Sequence, residues 1–334
     1  MLSGSLLTVA FIILIALTFD YINGFHDAAN AIATIVSTRV LRPQQAVLWA
    51  AFFNFSAAFL FGMHVAKTVG TGIINVAIVD NALIVAALIG AICWNLITWW
   101  VGLPSSSSHA LIGGLIGAAI VKGGLKVLIW EGIIKTTCFI FVSPLLGLIL
   151  GLFLMTVVLN ATQHTTVRTA NHIFRRLQMI SSALYCLSHG ANDAQKTMGI
   201  IAMVLFSGGY IGPVFHIPYA IVIACYLVLA LGTMAGGWRI VKTMGTRIAK
   251  LQPVDGFCAE TAAAVSIIGA SLAGIPVSTT HTITGAIMGA GSAKRFTAVR
   301  WNVAGNILWA WILTIPLSGV IAAGTYFLLR LFFP

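Results

Sequence analysis

Two aspartates sit where an acid is costly. Asp27 stands in "NGFHDAANA" (residues 23–31) and Asp193 in "HGANDAQKT" (residues 189–197), in the apolar company of a chain with only 7 acidic residues among 334. An ionised side chain at the centre of a bilayer costs on the order of 2.5–3.5 kcal/mol even on insertion scales, so such a residue meets a partner or a ligand. The neighbouring Asn, Gly and His residues are weak helix formers, and the helix is expected to break at both motifs. Such a break is tolerated in a membrane only where it lines a cavity. There, half-helix N-termini would offer amides to an anion, while carboxylate and carbonyl oxygens would offer ligands to a cation.

A second pair of strings supplies complementary chemistry. "LPSSSSHALIGGLIG" (103–117) and "IPVSTTHTITGAIMG" (275–289) each place a proline ahead of a run of hydroxyls, Ser105–Ser108 and Ser278–Thr280. Proline suits the first turn of a helix and Ser or Thr caps it, so both runs read as helix starts. Several hydroxyls beside free amides at the positive end of a helix dipole would hold a tetrahedral oxyanion. Capping and interhelical hydrogen bonding alone is the plainer alternative. Gly113 with Gly117 and Gly285 with Gly289 are small-xxx-small pairs that let helices approach closely.

Histidines accompany both motifs. His109 and His281 end the hydroxyl runs, and His26 and His189 flank the aspartates. A lone histidine in apolar sequence is more often a hydrogen-bonded structural residue, but occurrence in matched pairs keeps proton or charge tuning open. Glu260, in "DGFCAET", opens another apolar run; N-terminal capping and cation or proton coupling both fit it.

These residues need a frame. With 59% hydrophobic and 7% charged residues and a mean hydropathy of +1.02, the chain cannot cover itself with a water-soluble surface. Apolar runs of spanning length recur at 5–19, 45–62, 82–101, 108–121, 136–159, 217–236, 261–275 and 303–329. The ten-residue alternation of a membrane barrel is absent, which leaves an all-α polytopic membrane protein. The first run lacks the flanks of a cleaved signal and reads as a retained span. The net charge of +11 is the loop bias of a polytopic protein and no sign of nucleic acid. Cys93, Cys138, Cys186, Cys225 and Cys258 are scattered, odd in number and without metal spacing.

The chain is written twice. Asp27 and Asp193 lie 166 positions apart, "KTVGTGI" (67–73) and "KTMGTRI" (242–248) 175, and the prolines of the hydroxyl strings 172, as do Pro144 and Pro316 of "SPLLG" and "IPLSG". Collinear pairs at near-constant offset define two repeats, residues 1–160 and 179–334, joined by a polar linker, 161–178. Arg168, Arg175 and Arg176 place that linker in the cytoplasm. Arg39 and Arg42 follow the first Asp motif whereas 205–212 has no charge, and Arg239, Lys242, Arg247 and Lys250 answer only Lys67. That asymmetry predicts inverted-topology repeats, against which Lys122 and Lys126 stand opposite Lys294 and Arg295. Inversion requires an odd number of crossings per half, about five, with both termini outside. Residues 238–251 put their four cations on one arc and Ile240, Val241, Met244, Ile248 and Leu251 on the other, as an interfacial anchoring helix on the cytoplasmic leaflet would.

Together, "GFHDAANA", "GANDAQKT", "GLPSSSSH", "GIPVSTTH", "DGFCAE" and "WAWILTIPLSG" resemble the inorganic phosphate transporter (Pit) family, over essentially the whole chain. That family's mark is a GANDxANA-like string in each of two inverted halves. The resemblance implies a secondary transporter and not an enzyme, importing phosphate with a coupling cation through broken helices around a midplane site. It implies a homodimer in the bacterial inner membrane, with a cytosolic accessory protein as a further partner and no cofactor beyond the coupling ion. Carried onto this sequence, Asp27, Asn30, Asn192 and Asp193 would hold coupling ion and phosphate. Ser106, Ser107, Ser108, Ser278, Thr279 and Thr280 would hold phosphate oxygens, with Glu260 near the coupling ion.

Two positions depart from the motif. His26 stands where it has Asn before Asp, and Lys196 where it has Asn three after Asp. An asparagine offers a carbonyl oxygen to sodium, whereas a lysine brings its own charge to that place. Lys196 would pair with Asp193 or with phosphate. Both departures favour proton over sodium coupling, as in the bacterial low-affinity branch whose spelling this chain resembles. Asn54 stands where some members have a glutamate. Sulfate on the same scaffold, a neutral metal phosphate as the true substrate, and a channel remain alternatives; an intramembrane hydrolase built on Ser271 of "GASLAG" and His281 is a remote one.

Overall fold

In a bilayer no water meets the backbone, so runs such as 82–101 must close their hydrogen bonds within helices. The computed structural model describes residues 6–332. Its helices, in chain order, are α1 (Leu6–Ser37), α2 (Pro43–Ser56), α3 (His64–Thr71), α4 (Asn81–Val101), α5 (Ser107–Gly123), α6 (Trp130–Thr162), α7 (Val167–Ser207), α8 (Tyr219–Ala235), α9 (Trp238–Lys242), α10 (Pro253–Leu272), α11 (Thr279–Lys294) and α12 (Trp301–Phe332). Five of them are long and apolar enough to cross a membrane. Two bent pairs bring this to seven, with a kink of 82° between α2 and α3 and of 60° between α8 and α9. The protein is a multi-pass, all-helical membrane protein. Residues 1–5 and 333–334, on which the expectation of outward termini rests, lie outside the described residues.

The duplication in the sequence is repeated in the elements. The Asp motifs lie on α1 and α7, the hydroxyl strings open α5 and α11, and Pro144 and Pro316 lie inside α6 and α12. Isolated antiparallel bridges join Ile74 to Leu128 and, at the matching place, Ala249 to Val299. Ion pairs recur likewise: Lys122 holds Asp80, and Lys294 holds Asp255 at 2.9 Å. The halves interlock, with α5 packed between α4 and α12 while α11 lies against α6 and α10. The paired glycines make this possible. A Cβ on Gly117 would stand 2.1 Å from the carbonyl oxygen of Gly319, and one on Gly289 2.1 Å from that of Leu148. The polar stretch 161–178 runs through the end of α6 and the first turns of α7, with a short turn between them.

Three expectations are corrected. Neither Asp motif breaks its helix: α1 runs through Asp27, and α7, 41 residues long, runs through Asp193. Gly24 packs against the backbone of Leu229 and Gly232, and Gly190 against that of Asn54, so tight packing of small residues overrides weak local propensity. The interior helix ends are instead those of α5 and α11. Residues 238–251 do not form one interfacial helix either. Helix α9 passes into a π-helical turn, Thr243–Arg247, and Ile240, Val241, Met244 and Ile248 are buried in the protein core and do not face lipid. Gly245 admits this, since Ala33 and Ser37 of α1 lie directly over its Cα. Finally, Glu260 does not cap α10; Asp255 does, accepting from the Gln252 amide at 2.8 Å.

Candidate functional site

Helices α5 and α11 begin in the protein interior because their prolines and hydroxyls stop the preceding loop and cap the first turn. Ser106 Oγ accepts the amide of His109 at 3.2 Å, and Ser278 Oγ accepts that of His281 at the same distance. The following hydroxyls are thereby free to reach across to α1 and α7. Ser107 donates to Asp27 Oδ2 at 2.6 Å, and Thr279, its counterpart, to Asp193 Oδ2 at 3.2 Å. The third hydroxyls cross between halves. Thr280 accepts from the Asn30 amide at 2.8 Å and lies 3.4 Å from Asp27 Oδ1, while Ser108 accepts from the Lys196 ammonium. None of these eight groups, the two aspartates and six hydroxyls, is more than 2% exposed. Two cap-bearing helix N-termini and two carboxylates therefore share one occluded core.

The aspartates themselves meet. One ligand atom from each of Asp27, Asp193 and His189 falls within 4.8 Å of the others, a donor set of two carboxylates and an imidazole that suits a small cation. His26 Nδ1 lies 2.8 Å from Asp27 Oδ1, and its Nε2 lies 3.1 Å from the Thr98 hydroxyl. His189 Nε2 lies 3.0 Å from Asp193 Oδ2, and its Nδ1 lies 3.1 Å from Asn54 Oδ1. Asn54, itself donating to Thr233 at 3.0 Å, thus fixes the ring that faces Asp193. Lys196 binds Asp193 Oδ1 and the Val277 carbonyl, the latter at 3.2 Å, in addition to Ser108. Carboxylate, hydroxyl and carbonyl are the oxygens a bare cation would seek.

The remaining expected residues scatter around this core. Asn192 donates to Ser271 Oγ at 2.9 Å. His109 and His281 face each other, ring centroids 4.8 Å apart, and His281 stacks on Trp311 at 3.9 Å. No Ser271–His281 pair exists among the described residues, and Ser271 serves as the partner of Asn192. Glu260 is held by Thr34 at 2.6 Å, Gln178 at 3.1 Å and Ser181. Sequence reasoning passed over Asp20, fully buried on α1 and accepting from Thr197 at 2.8 Å. The signal was available: Asp20 precedes Asp27 by seven residues and so lies on the same helix face. It also passed over Gln195, whose carbonyl accepts the Val65 amide at 2.9 Å and ties α7 to the first turn of α3.

Known proteins resemble this chain in sequence and in fold. Residues 23–322 match the family model described as the phosphate transporter family. A Rhizobium meliloti protein described as "Probable low-affinity inorganic phosphate transporter" is 57% identical, over 95% of each chain. A Bacillus subtilis protein of the same description is 43% identical over 98% of this chain and 99% of its own. Among solved structures, "The sodium-dependent phosphate transporter" superposes with a TM-score of 0.87 at 26% identity, covering 98% of this chain and 100% of that one. The relatives are named as transporters and not as enzymes, and this chain belongs to the phosphate transporter family.

Proposed function

We propose that the protein imports inorganic phosphate by symport with a cation, a proton in preference to sodium. The observation that carries this reading is the convergence of Ser107 and Thr279 on Asp27 and Asp193 at the N-termini of α5 and α11. A phosphate anion cannot approach two ionised carboxylates in a buried site. Loading Asp27 or Asp193 with a cation, or protonating it, removes that repulsion. The hydroxyls of Ser106–Ser108 and Ser278–Thr280, with the amides of the two helix ends, then turn to the phosphate oxygens. Asn30 and Asn192 complete the polar wall, His26, His109 and His281 tune its charge, and Glu260 is a further coupling carboxylate. The Lys196 ammonium holds a place that a second sodium would need, and this favours the proton.

The matched elements of the two halves support inverted repeats that rock about the shared site in alternating access. Residues 161–178 are then cytoplasmic, both termini lie outside, and the protein works as a homodimer in the inner membrane, served by a cytosolic accessory protein. A neutral metal phosphate satisfies the same site, because Asp27, His189 and Asp193 would bind its metal.

The test is uptake of radiolabelled phosphate into proteoliposomes with proton and sodium gradients imposed separately. The reading predicts accumulation under an inward proton gradient alone, competition by arsenate and none by sulfate. Accumulation driven only by sodium would overturn proton coupling, and competition by sulfate would overturn the substrate.

A further inference from the structure

One buried acid has no part in the site so far described. Asp20 is 0% exposed; Thr197 donates to its Oδ1 at 2.8 Å, while its Oδ2 has no hydrogen-bond partner among the described residues. Asn23 of α1 neighbours it, and within electrostatic reach are Asp193 and Lys196 from α7 and Cys225 and Tyr226 from α8. A carboxylate oxygen left unpaired in so dry a place is costly unless it carries a proton or meets a cation.

Its position on α1 extends a pattern. Asp20, Asn23, Asp27, Asn30 and Thr34 follow at steps of three and four residues, so they line one face of the helix, and none is more than 2% exposed. Hydrogen bonds join most of the line. Thr34 donates to Glu260 at 2.6 Å, Asn30 reaches Asp27 through Thr280, and the Ser107 hydroxyl lies between Asp27 and Asn23. At 1.5 Å per residue the file spans roughly 21 Å, about two thirds of a hydrocarbon core. Glu260 marks one end and Asp20 the other.

These end groups fall outside the duplication. At the offset of the Asp motifs Asp20 corresponds to Cys186, and at the offset of "KTVGTGI" Glu260 corresponds to Val85. The phosphate-facing hydroxyls and aspartates are symmetric, whereas the outlying acids are not. The outlying acids therefore give the file a polarity that the repeated hydroxyls and aspartates lack.

We propose that Asp20 carries the coupled proton between one mouth of this file and the phosphate site. Oδ2 takes a proton from hydronium in the water at that mouth, one O–H bond of the donor breaking as the carboxyl O–H forms. Once the halves have rocked, the carboxyl O–H breaks and the proton passes to water on the opposite side, forming an O–H bond there. The role rests on the reading of the protein as a proton-coupled phosphate transporter.

The experiment reconstitutes the full chain and its Asp20→Asn and Asp20→Glu variants in liposomes holding a trapped pH dye. Three quantities are read: gradient-driven phosphate uptake, phosphate-dependent acidification of the lumen, and phosphate–phosphate exchange at equal pH. For Asp20→Asn, uptake and acidification are expected to fall about tenfold or more while exchange falls no more than about threefold. Asp20→Glu is expected to restore acidification with a displaced pH profile of uptake. Acidification per phosphate unchanged in Asp20→Asn would overturn the role. So would a parallel loss of all three quantities in a monodisperse Asp20→Asn protein. If Asp20→Asn does not fold, Asp20→Glu decides: a wild-type pH profile overturns the proposal and a displaced one supports it. Absence of exchange in the wild type would refute the transport reading itself, and the role of Asp20 with it.

Discussion

Lys196 and Asn30 occupy equivalent places in the two halves and do unequal things. Each reaches the third hydroxyl of the opposite run, Lys196 to Ser108 and Asn30 to Thr280 at 2.8 Å. Only Lys196 brings a charge, which it spends on the adjacent Asp193. The Asn30 side keeps a buried carbonyl oxygen without a partner among the described residues. On the proposed reading, the first motif leaves its place open to a cation, whereas a tethered ammonium fills the second. Replacing Lys196 by Asn would empty the second. Lys196→Asn is expected to make phosphate uptake sodium-stimulated by about fivefold or more, since the freed oxygen set suits sodium. Initial rates with and without sodium at fixed pH would show it, and a rate indifferent to sodium would contradict it.

Ser107 and Thr279 donate to the aspartates and, on the proposed reading, turn to phosphate when it is bound. Each hydrogen bond to a charged acceptor contributes about 1.5–3 kcal/mol. Ser107→Ala or Thr279→Val is therefore expected to raise the half-saturating phosphate concentration about tenfold or more, with a smaller effect on the maximal rate. The concentration dependence of initial uptake measures both. A purely structural role would lower the amount of folded protein and leave the half-saturating concentration alone.

Close helix packing places a different demand on the glycines. A Cβ on Gly117 or Gly289 would press on backbone oxygen, 2.1 Å away in each case, which flexible side chains cannot relieve. Gly117→Val and Gly289→Val are each expected to cost about 1–3 kcal/mol and to lower the melting temperature in detergent. Gly305→Ala, with nothing within 4 Å of its added Cβ, is the control and should change stability by less than about 0.5 kcal/mol. Equal melting temperatures for all three would contradict the packing account.

What the chain disclosed in advance is what it repeats or what is local. The Asp motifs, the hydroxyl caps and the glycine pairs were visible because each occurs twice and each has a short-range physical meaning. Cap geometry followed from Pro104 and Ser106, and again from Pro276 and Ser278. The continuity of α1 and α7 was not visible, because propensity counts Asn, Gly and Asp against a helix while Gly24 and Gly190 find their backbone partners on other elements. The full length of α7 was hidden by its polar residues, which interrupt every apolar run that a span search seeks. Asp20 lacks a copy in the second half, so a search for repeats skipped it. His109 and His281 are 172 positions apart, and only the fold shows that they pack on each other.

The central claim is that Asp27 and Asp193 jointly form the loaded core of a phosphate carrier. Its most direct test is uptake of labelled phosphate by Asp27→Asn and Asp193→Asn proteins, reconstituted after each is shown to elute as a single stable species. The account predicts that each loses uptake to the level of empty liposomes. Uptake at the wild-type rate by both variants would contradict it.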